Sequence, residues 1–172
     1  SSAWTGDGRL LFLIKALGDY TRTLGHALRV GDTAIVEGPY GRFHFEGSAQ
    51  RQVWIGAGIG VTPFVARMQA LAAQPDGRSV DFFHVTAEVD ERALALLRAD
   101  AQAAGVRLHL VVSGRGDVDN LFTGERLRAQ VPDWLQADVW FCGPAAFGDA
   151  LQADLVAHGL KPGHFQRELF EM

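Results

Sequence analysis

The chain has 172 residues, of which 48% are hydrophobic and 21% charged, a composition that excludes a disordered or fibrous protein. Its 16 Lys and Arg residues against 20 Asp and Glu residues give a net charge of −4 without a local basic patch, which excludes a nucleic-acid-binding protein. The single cysteine excludes a disulfide framework and agrees with a reducing compartment, so we expect a cytoplasmic location.

The N-terminal part of the chain predicts two strands with a short helix between them. The segments Leu10–Ala16 and Thr33–Val36 are rich in Leu, Ile, Val and Phe, as strands are. Between them, Leu24 and Leu28 have the spacing of one helix face, and Thr21 is the predicted N-cap of that helix.

A segment dense in Gly and Pro follows, at 37–47, and predicts a domain boundary. The length of the chain agrees with one full domain and part of another. We therefore assign residues 1–47 to a first domain and residues 51–172 to a second.

In the second domain, short apolar runs alternate with helical stretches, which is typical of βαβ units in a doubly wound parallel sheet. The predicted strands are Gln52–Ile55, Val80–Val85, Val106–Val112, Asp138–Phe141 and Phe165–Phe170. Four helices are predicted between these strands. The first begins at Thr62 or Pro63, and the second covers about Asp90–Ala104. A short third helix follows Thr123, and the last begins at Pro144. The predicted fold class is α/β, with a five-stranded parallel sheet flanked by helices. Ligands of such sheets bind at the carboxyl ends of the strands, so the loops there should hold the site.

The loop after the first of these strands contains three glycines in five residues and leads into a helix. It reads Gly56, Ala57, Gly58, Ile59, Gly60, Val61, Thr62, Pro63. Glycine lets backbone N–H groups approach an anion, and the helix N-terminus adds a partial positive charge, so the loop suits a pyrophosphate. The alternative is a tight turn without a ligand. The spacing departs from GxGxxG because Val61 stands where the third glycine belongs.

A second strand end carries Cys142, Gly143 and Pro144 before a helix. A nucleophilic cysteine needs a base nearby, and no thiol-hydrolase signature surrounds Cys142. A small buried thiol and a cofactor contact therefore both remain open for this residue. The six histidines lack metal-binding spacing, so we expect no metal site.

Five segments, in order, resemble blocks of the ferredoxin reductase-like flavoprotein family, specifically its ferric reductase and NADPH oxidase branch. They are Lys15–Thr21 followed by Leu24, Glu37–Phe43, the glycine loop ending in Thr62 and Pro63, Cys142–Pro144, and Glu168–Phe170. The resemblance covers nearly the whole chain.

The resemblance implies that residues 1–47 are the C-terminal remnant of an antiparallel FAD-binding β-barrel and that residues 51–172 form an NAD(P)-binding domain. The family's upstream flavin-binding motif, an Arg followed by an aromatic residue and Ser or Thr, has no counterpart here. We therefore expect a fragment of a larger enzyme that holds FAD in its full-length form. In the ferric reductase branch the missing part includes heme-bearing membrane helices, which would place the chain at the cytoplasmic face of a membrane.

The resemblance also assigns roles to individual residues. Asp19, Tyr20 and Thr21 would contact the FAD pyrophosphate, and the residues from Gly56 to Pro63 would hold the pyrophosphate of NAD(P)H. Cys142, with Gly143 and Pro144, would lie beside the nicotinamide, and Glu168 and Phe170 beside the flavin. The implied reaction is hydride transfer from NAD(P)H to FAD, followed by single-electron delivery to an acceptor that the sequence does not identify. A heme in a membrane domain of the same parent chain is the acceptor that the branch implies.

The choice of nucleotide depends on a cation near the 2′-phosphate of the adenosine ribose. Family members specific for NADPH carry an Arg after the second strand or a Ser-Arg pair after the third. After the second strand this chain has Thr86 and no Arg. After the third it has Ser113 and Arg115, with the Arg displaced by one residue from the family's pair. We interpret Arg115 as the cation that favours NADP(H) over NAD(H); the alternative is a solvated loop charge. Two alternative functions are a regulatory nucleotide-binding domain without turnover and a thiol enzyme built on Cys142.

Overall fold

The computed structural model describes residues 2–4, 6–16, 18–38, 43–113 and 120–169. Its strands are β1 (Arg51–Ala57), β2 (Ser79–Thr86), β3 (Arg107–Val112), β4 (Ala137–Gly143) and β5 (Phe165–Leu169). Its α-helices are α1 (Asp19–Ala27), α2 (Thr62–Ala73), α3 (Glu91–Ala103), α4 (Gly124–Gln130) and α5 (Ala145–Ala157). Short 3₁₀ helices cover Gly58–Val61, Trp134–Gln136 and Pro162–His164.

The five strands form one parallel sheet in the order β3-β2-β1-β4-β5. The predicted α/β class is therefore confirmed, and the strand ends differ from the predicted ones by at most two residues. The chain builds the sheet outward from β1 to β3 and then returns to place β4 on the other side of β1. At this reversal β1 and β4 are neighbours, and the helices that follow them, α2 and α5, lie on opposite faces of the sheet. Ligands of such sheets bind in the crevice at this point of the carboxyl edge.

Different helices cover the two faces of the sheet. Helices α2 and α3 contribute Phe64, Met68 and Leu97 to a buried cluster on one face. Helices α4 and α5 contribute Leu127 and Leu155 to a cluster on the other. Because both faces are covered, the strands read as continuous apolar runs, which is why the sequence pattern located them. In the described ranges no helix is both long enough and apolar enough to cross a bilayer.

The predicted strands Leu10–Ala16 and Thr33–Val36 are wrong for the described residues, which form no strand there. Their large apolar side chains are mostly exposed, with Ile35 at 90%. A strand needs a neighbouring strand to accept its backbone hydrogen bonds, and a local apolar pattern does not supply one. The antiparallel barrel remnant is therefore absent as a sheet from the described part of residues 1–47.

The short N-terminal helix α1 is present, but its predicted cap is wrong. Gly18 is the N-cap, and Thr21 is the third helical residue, whose Oγ1 accepts a hydrogen bond from the Gly18 N–H at 3.1 Å. Thr21 thus supports the start of the helix from inside it, as the third residue of a capping box does. At α4 the helix predicted to follow Thr123 begins at Gly124, and the Thr123 side chain accepts from the Arg126 N–H.

The segment 43–49 lies against the sheet on the side of α2. Phe45 is buried, and its ring centroid is 5.1 Å from that of Trp140 in β4. Arg78 donates hydrogen bonds to the carbonyls of Phe45 and Gly47 at 2.8 and 2.9 Å. The segment in which the sequence places the domain boundary is therefore attached to the second domain.

A buried ionic cluster holds the amino edge of the sheet together. Asp81 in β2 is 2% exposed, accepts a hydrogen bond from Arg51, and lies 2.5 Å from Nε2 of His109. Arg107 and Asp133 complete the cluster. Burial alone would raise the pKa of Asp81, but the hydrogen bonds from His109 and Arg51 outweigh it and lower the pKa below its ordinary value. The folded protein therefore holds Asp81 as a carboxylate.

We expect Asp81→Ala to lower the free energy of unfolding by roughly 3 kcal/mol, because it leaves the mostly buried Arg51 without its main partner. Urea denaturation followed by circular dichroism measures this loss. The native Asp81 stabilises the fold above its unfolded pKa of about 3.9, and this contribution is lost as pH falls through the lowered folded pKa. Acidification below about pH 4 should therefore cost the variant less than the native protein.

The matched control is Asp149→Ala, which breaks the exposed ion pair of Asp149 with Arg167. Exposed pairs contribute little, so we expect a change below about 1 kcal/mol. Equal losses in the two variants would show that the Asp81 cluster has no special stabilising role.

Candidate functional site

The loops after β1 and β4 meet at the crevice of the carboxyl edge. Gly56 and Cys142 are register partners in the paired strands, so the glycine loop and the Cys142–Pro144 segment leave the sheet side by side. The structure therefore brings together the two motifs that the sequence analysis singled out. Both lead directly into helices, α2 and α5, on opposite faces of the sheet.

Two glycines allow these loops to touch. A Cβ atom on Gly60 would lie 2.1 Å from the carbonyl oxygen of Cys142, and one on Gly143 would lie 2.7 Å from the Cβ of Ala57. Heavy atoms that are not bonded cannot approach so closely. Any larger residue at position 60 or 143 would thus push the two loops apart and open the sheet edge between β1 and β4.

Gly58 is a glycine for a different reason. Its φ of +56° is in the left-handed region that side chains rarely adopt, and a Cβ atom there would meet nothing within 4 Å. The space beside Gly58 is therefore free of protein atoms. Such a position leaves room for a ligand to approach the backbone.

Helix α2 begins at Thr62, one of its two predicted starts. Thr62 is the first helical residue, Val61 is the N-cap, and Pro63 follows at the second position. No side chain makes a cap hydrogen bond at the N-terminus of this helix. The partial positive charge of this helix end thus faces the crevice without a neutralising side chain.

Burial controls the chemistry of Cys142. The side chain is 1% exposed, and its burial, with a smaller effect of the Glu168 charge, raises the pKa of the thiol to about 12. Glu168 is the register partner of Cys142 on β5, and burial raises its pKa as well. Because of this raised pKa, Cys142 is a neutral thiol at physiological pH, and only the thiolate form is a nucleophile. This disfavours the thiol-enzyme alternative.

The ends of β2 and β3 lie next to each other and bring Thr86 close to Ser113. The Ser113 N–H donates to the Thr86 carbonyl at 3.0 Å. The Thr86 hydroxyl donates to the carbonyl of Glu88 at 2.7 Å and accepts from its N–H at 3.3 Å, so its proton is already used within the loop. Arg115 lies outside the described residues.

No protein-family model matches the chain. Individual relatives do match. The chain is 30% identical over 152 residues to the heme-dependent oxidative N-demethylase beta subunit of Ectopseudomonas mendocina, covering 87% of this chain and 45% of the relative. It is 29% identical over 167 residues to the flavohemoprotein of Bordetella pertussis, covering 89% and 41%. Among solved structures, the Amycolatopsis cytochrome P450 reductase GcoB has a TM-score of 0.62 and 28% identity, covering 77% of this chain and 42% of that one.

The relatives and structural neighbours of the chain are ferredoxin reductase-like flavoprotein reductases. The chain spans less than half the length of the relatives named above. These relatives do not single out the ferric reductase branch that the sequence motifs suggested.

The other residues that the family resemblance singled out are not part of the two loops. Asp19, Tyr20 and Thr21 begin α1, which has no buried residue, and Tyr20 is 77% exposed. Phe170 lies outside the described residues. The described part of the candidate site therefore consists of the glycine loop, Cys142–Pro144 and Glu168.

One residue that the sequence analysis did not assign also reaches the site. His84 in β2 is the register partner of Gly56, and its Nδ1 lies 3.2 Å from the Gly56 carbonyl oxygen. Its place near the carboxyl end of a predicted strand was a signal that could have found it.

We expect the Cys142 thiol to resist alkylation by iodoacetamide at pH 8 in the folded protein, because it is buried and its pKa is about 12. Mass spectrometry should show no adduct under conditions that fully alkylate glutathione. In concentrated guanidinium chloride this single cysteine should react completely. Stoichiometric alkylation of the native protein would instead indicate an accessible, activated thiol.

Proposed function

We propose that this chain is the nucleotide-binding part of a larger NAD(P)H-dependent flavin oxidoreductase that transfers a hydride from NAD(P)H to FAD. The observation that carries the proposal is the crevice at which the glycine loop and Cys142–Pro144 interlock, next to open space at Gly58. The family relatives support it, because they include reductases, a flavohemoprotein and a subunit of a heme-dependent enzyme.

The glycine loop fits the pyrophosphate of a nicotinamide nucleotide. The space beside Gly58 would admit the phosphates against the backbone, and the N-terminus of α2 would offer them a partial positive charge. No charged side chain is needed for this arrangement. The residues from Gly56 to Pro63 are therefore the proposed binding loop, with Gly143 and Pro144 on the opposite wall.

The residues near β4 and β5 would orient the reacting rings. Cys142 offers a neutral, buried sulfur beside the crevice, and Glu168 is its neighbour on β5. When bound, the nicotinamide supplies a hydride to the flavin, which releases electrons singly to an acceptor. The role of this chain is to hold the ring positions and exclude water. We assign Phe170 to the flavin side, and Asp19, Tyr20 and Thr21 to the FAD pyrophosphate.

The two-domain division is part of the proposal. Residues 1–47 would belong to the flavin domain, and residues 51–172 would form the nucleotide domain. The names of the relatives support a heme or an oxygenase as the electron acceptor. Within that class we propose a heme in a membrane domain of the parent chain, with this chain on the cytoplasmic side.

Titration calorimetry with NADPH and NADH tests the proposed function. We expect one binding site per chain, with NADPH bound more tightly than NADH because Arg115 contacts the 2′-phosphate. Arg115→Ala should weaken the binding of NADPH by roughly 1.5–3 kcal/mol, the value of a charge-assisted hydrogen bond, and leave the binding of NADH unchanged. Equal effects on both nucleotides, or tighter NADH binding by the native chain, would reverse the nucleotide assignment.

Turnover separates an oxidoreductase from a regulatory domain. The longer parent protein, saturated with FAD, should reduce an artificial one-electron acceptor when NADPH is added. Nucleotide binding without any reduction would favour the regulatory alternative. Absence of nucleotide binding would remove the proposal entirely.

We expect Gly58→Val to weaken nucleotide binding at least about tenfold, because the branched side chain would occupy the space of the pyrophosphate. Gly77→Val is the matched control. Gly77 also has a positive φ, of +75°, and an open Cβ position, but it precedes β2 at the amino edge of the sheet. Both variants should lose similar stability, while only the first should lose affinity. Unchanged nucleotide affinity in folded Gly58→Val protein would show that the loop is only a structural turn.

A further inference from the structure

We propose that His84 is a positioning residue that holds the glycine loop in its binding conformation, through a hydrogen bond from its Nδ1 to the Gly56 carbonyl. This inference rests on the proposed nucleotide-binding function of the loop. It adds a residue on β2 to a site otherwise built from the ends of β1 and β4.

The geometry fixes the direction of this bond. The Nδ1 atom of His84 lies 3.2 Å from the Gly56 oxygen, which can only accept a hydrogen bond. Nδ1 must therefore carry the proton. Burial lowers the pKa of His84 more than the bond to Gly56 raises it, so the ring is neutral and holds a single proton, on Nδ1.

The environment of His84 is mostly apolar. The ring is partly buried and lines a largely apolar cavity of about 350 Å³ between α2 and α3. Val61 and Val65 at the start of α2 and Leu110 in β3 line the same cavity. A hydrogen bond beside apolar side chains competes less with solvent than an exposed one.

The bond acts at the point where the loop leaves the sheet. The Gly56 carbonyl and the Ala57 N–H belong to one planar peptide group, so fixing the carbonyl also fixes the direction of that N–H. Gly56 restricts the ψ torsion before this peptide less than any other residue would, and the pairing of β1 ends at Ala57. The bond from His84 adds a second restraint at this last paired peptide. His84 therefore limits the conformations of the loop before a ligand arrives.

The loop is also confined from the other side. A Cβ on Gly56 would lie 3.1 Å from the Gly60 carbonyl oxygen and from Cα of Val61, so the loop folds tightly over its first residue. Rotation of the Gly56 peptide would disturb this turn and the contact of Gly60 with Cys142. Holding one carbonyl thus holds the whole phosphate-facing backbone. Pre-ordering a loop in this way improves affinity, because less entropy is lost on binding.

The test compares two replacements of His84. His84→Leu keeps a side chain of similar bulk but removes the donor, whereas His84→Asn can place an amide N–H near the position of Nδ1. We expect His84→Leu to raise the Kd for NADPH by about three- to tenfold, the effect of losing one hydrogen bond. His84→Asn should restore the Kd to within about twofold of the native value.

His158→Leu is the matched control. The Nδ1 of His158 also bonds to a backbone carbonyl, that of Asp154 at 2.8 Å, but at the C-terminal end of α5. This variant loses a bond of the same type away from the glycine loop, so its Kd should not change. Thermal unfolding of all three variants shows whether each is folded at the temperature of the titration.

Amide hydrogen exchange without nucleotide separates the positioning role from the proposed function. In His84→Leu the amides of residues 57–60 should exchange faster than in the native protein, and His84→Asn should slow them again. Native exchange at these amides in folded His84→Leu protein would overturn the positioning role. So would an unchanged Kd in His84→Leu, or a Kd in His84→Asn as weak as in His84→Leu. Native protein that bound no nucleotide would overturn the proposed function, and the exchange data would still decide the role of His84.

Discussion

The contact between Gly60 and the carbonyl of Cys142 is the constraint on which the site depends. It ties the loop after β1 to the loop after β4 at the place where the order of the strands reverses. The same contact explains why the sequence departs from GxGxxG. The close approach is made at position 60, so the third glycine stands there, and Val61 is free to pack its side chain against the cluster beneath α2. The third glycine is therefore shifted to position 60, the residue that contacts the end of β4.

The two edges of the sheet use polar groups in opposite ways. At the amino edge, Asp81 stays charged in a buried position because Arg51 and His109 bond to it, and the result is stability. At the carboxyl edge, burial acts in the other direction. It raises the pKa of the Cys142 thiol and lowers that of the His84 ring, so both groups stay neutral. The buried carboxylate of Asp81 thus lies at the edge that binds no ligand in the proposed function.

The sequence predicted the parallel sheet well, because strands that are buried on both faces leave continuous apolar runs whatever their partners are. It failed for Leu10–Ala16 and Thr33–Val36, where an equally apolar pattern has no pairing strand in the described residues. In these two segments the apolar pattern predicted neither pairing nor burial. The sequence also missed the N-cap at Gly18, because glycine has no side chain whose type would signal a cap.

In the candidate site, too, the sequence could predict local motifs but not long-range contacts. The glycine loop and Cys142–Pro144 could be found because each is a run of consecutive residues with a recognisable spacing. The bond from His84 to Gly56 joins residues 28 positions apart and depends on strand register, so no spacing rule could reveal it. A crevice that would bind a polyanion through backbone N–H groups and a helix end, rather than through charged side chains, needs those groups to point correctly before the ligand arrives. The orientation of these groups must therefore be fixed by the fold, and the close packing of Gly60 on Cys142 and the bond from the neutral His84 to Gly56 both restrain it.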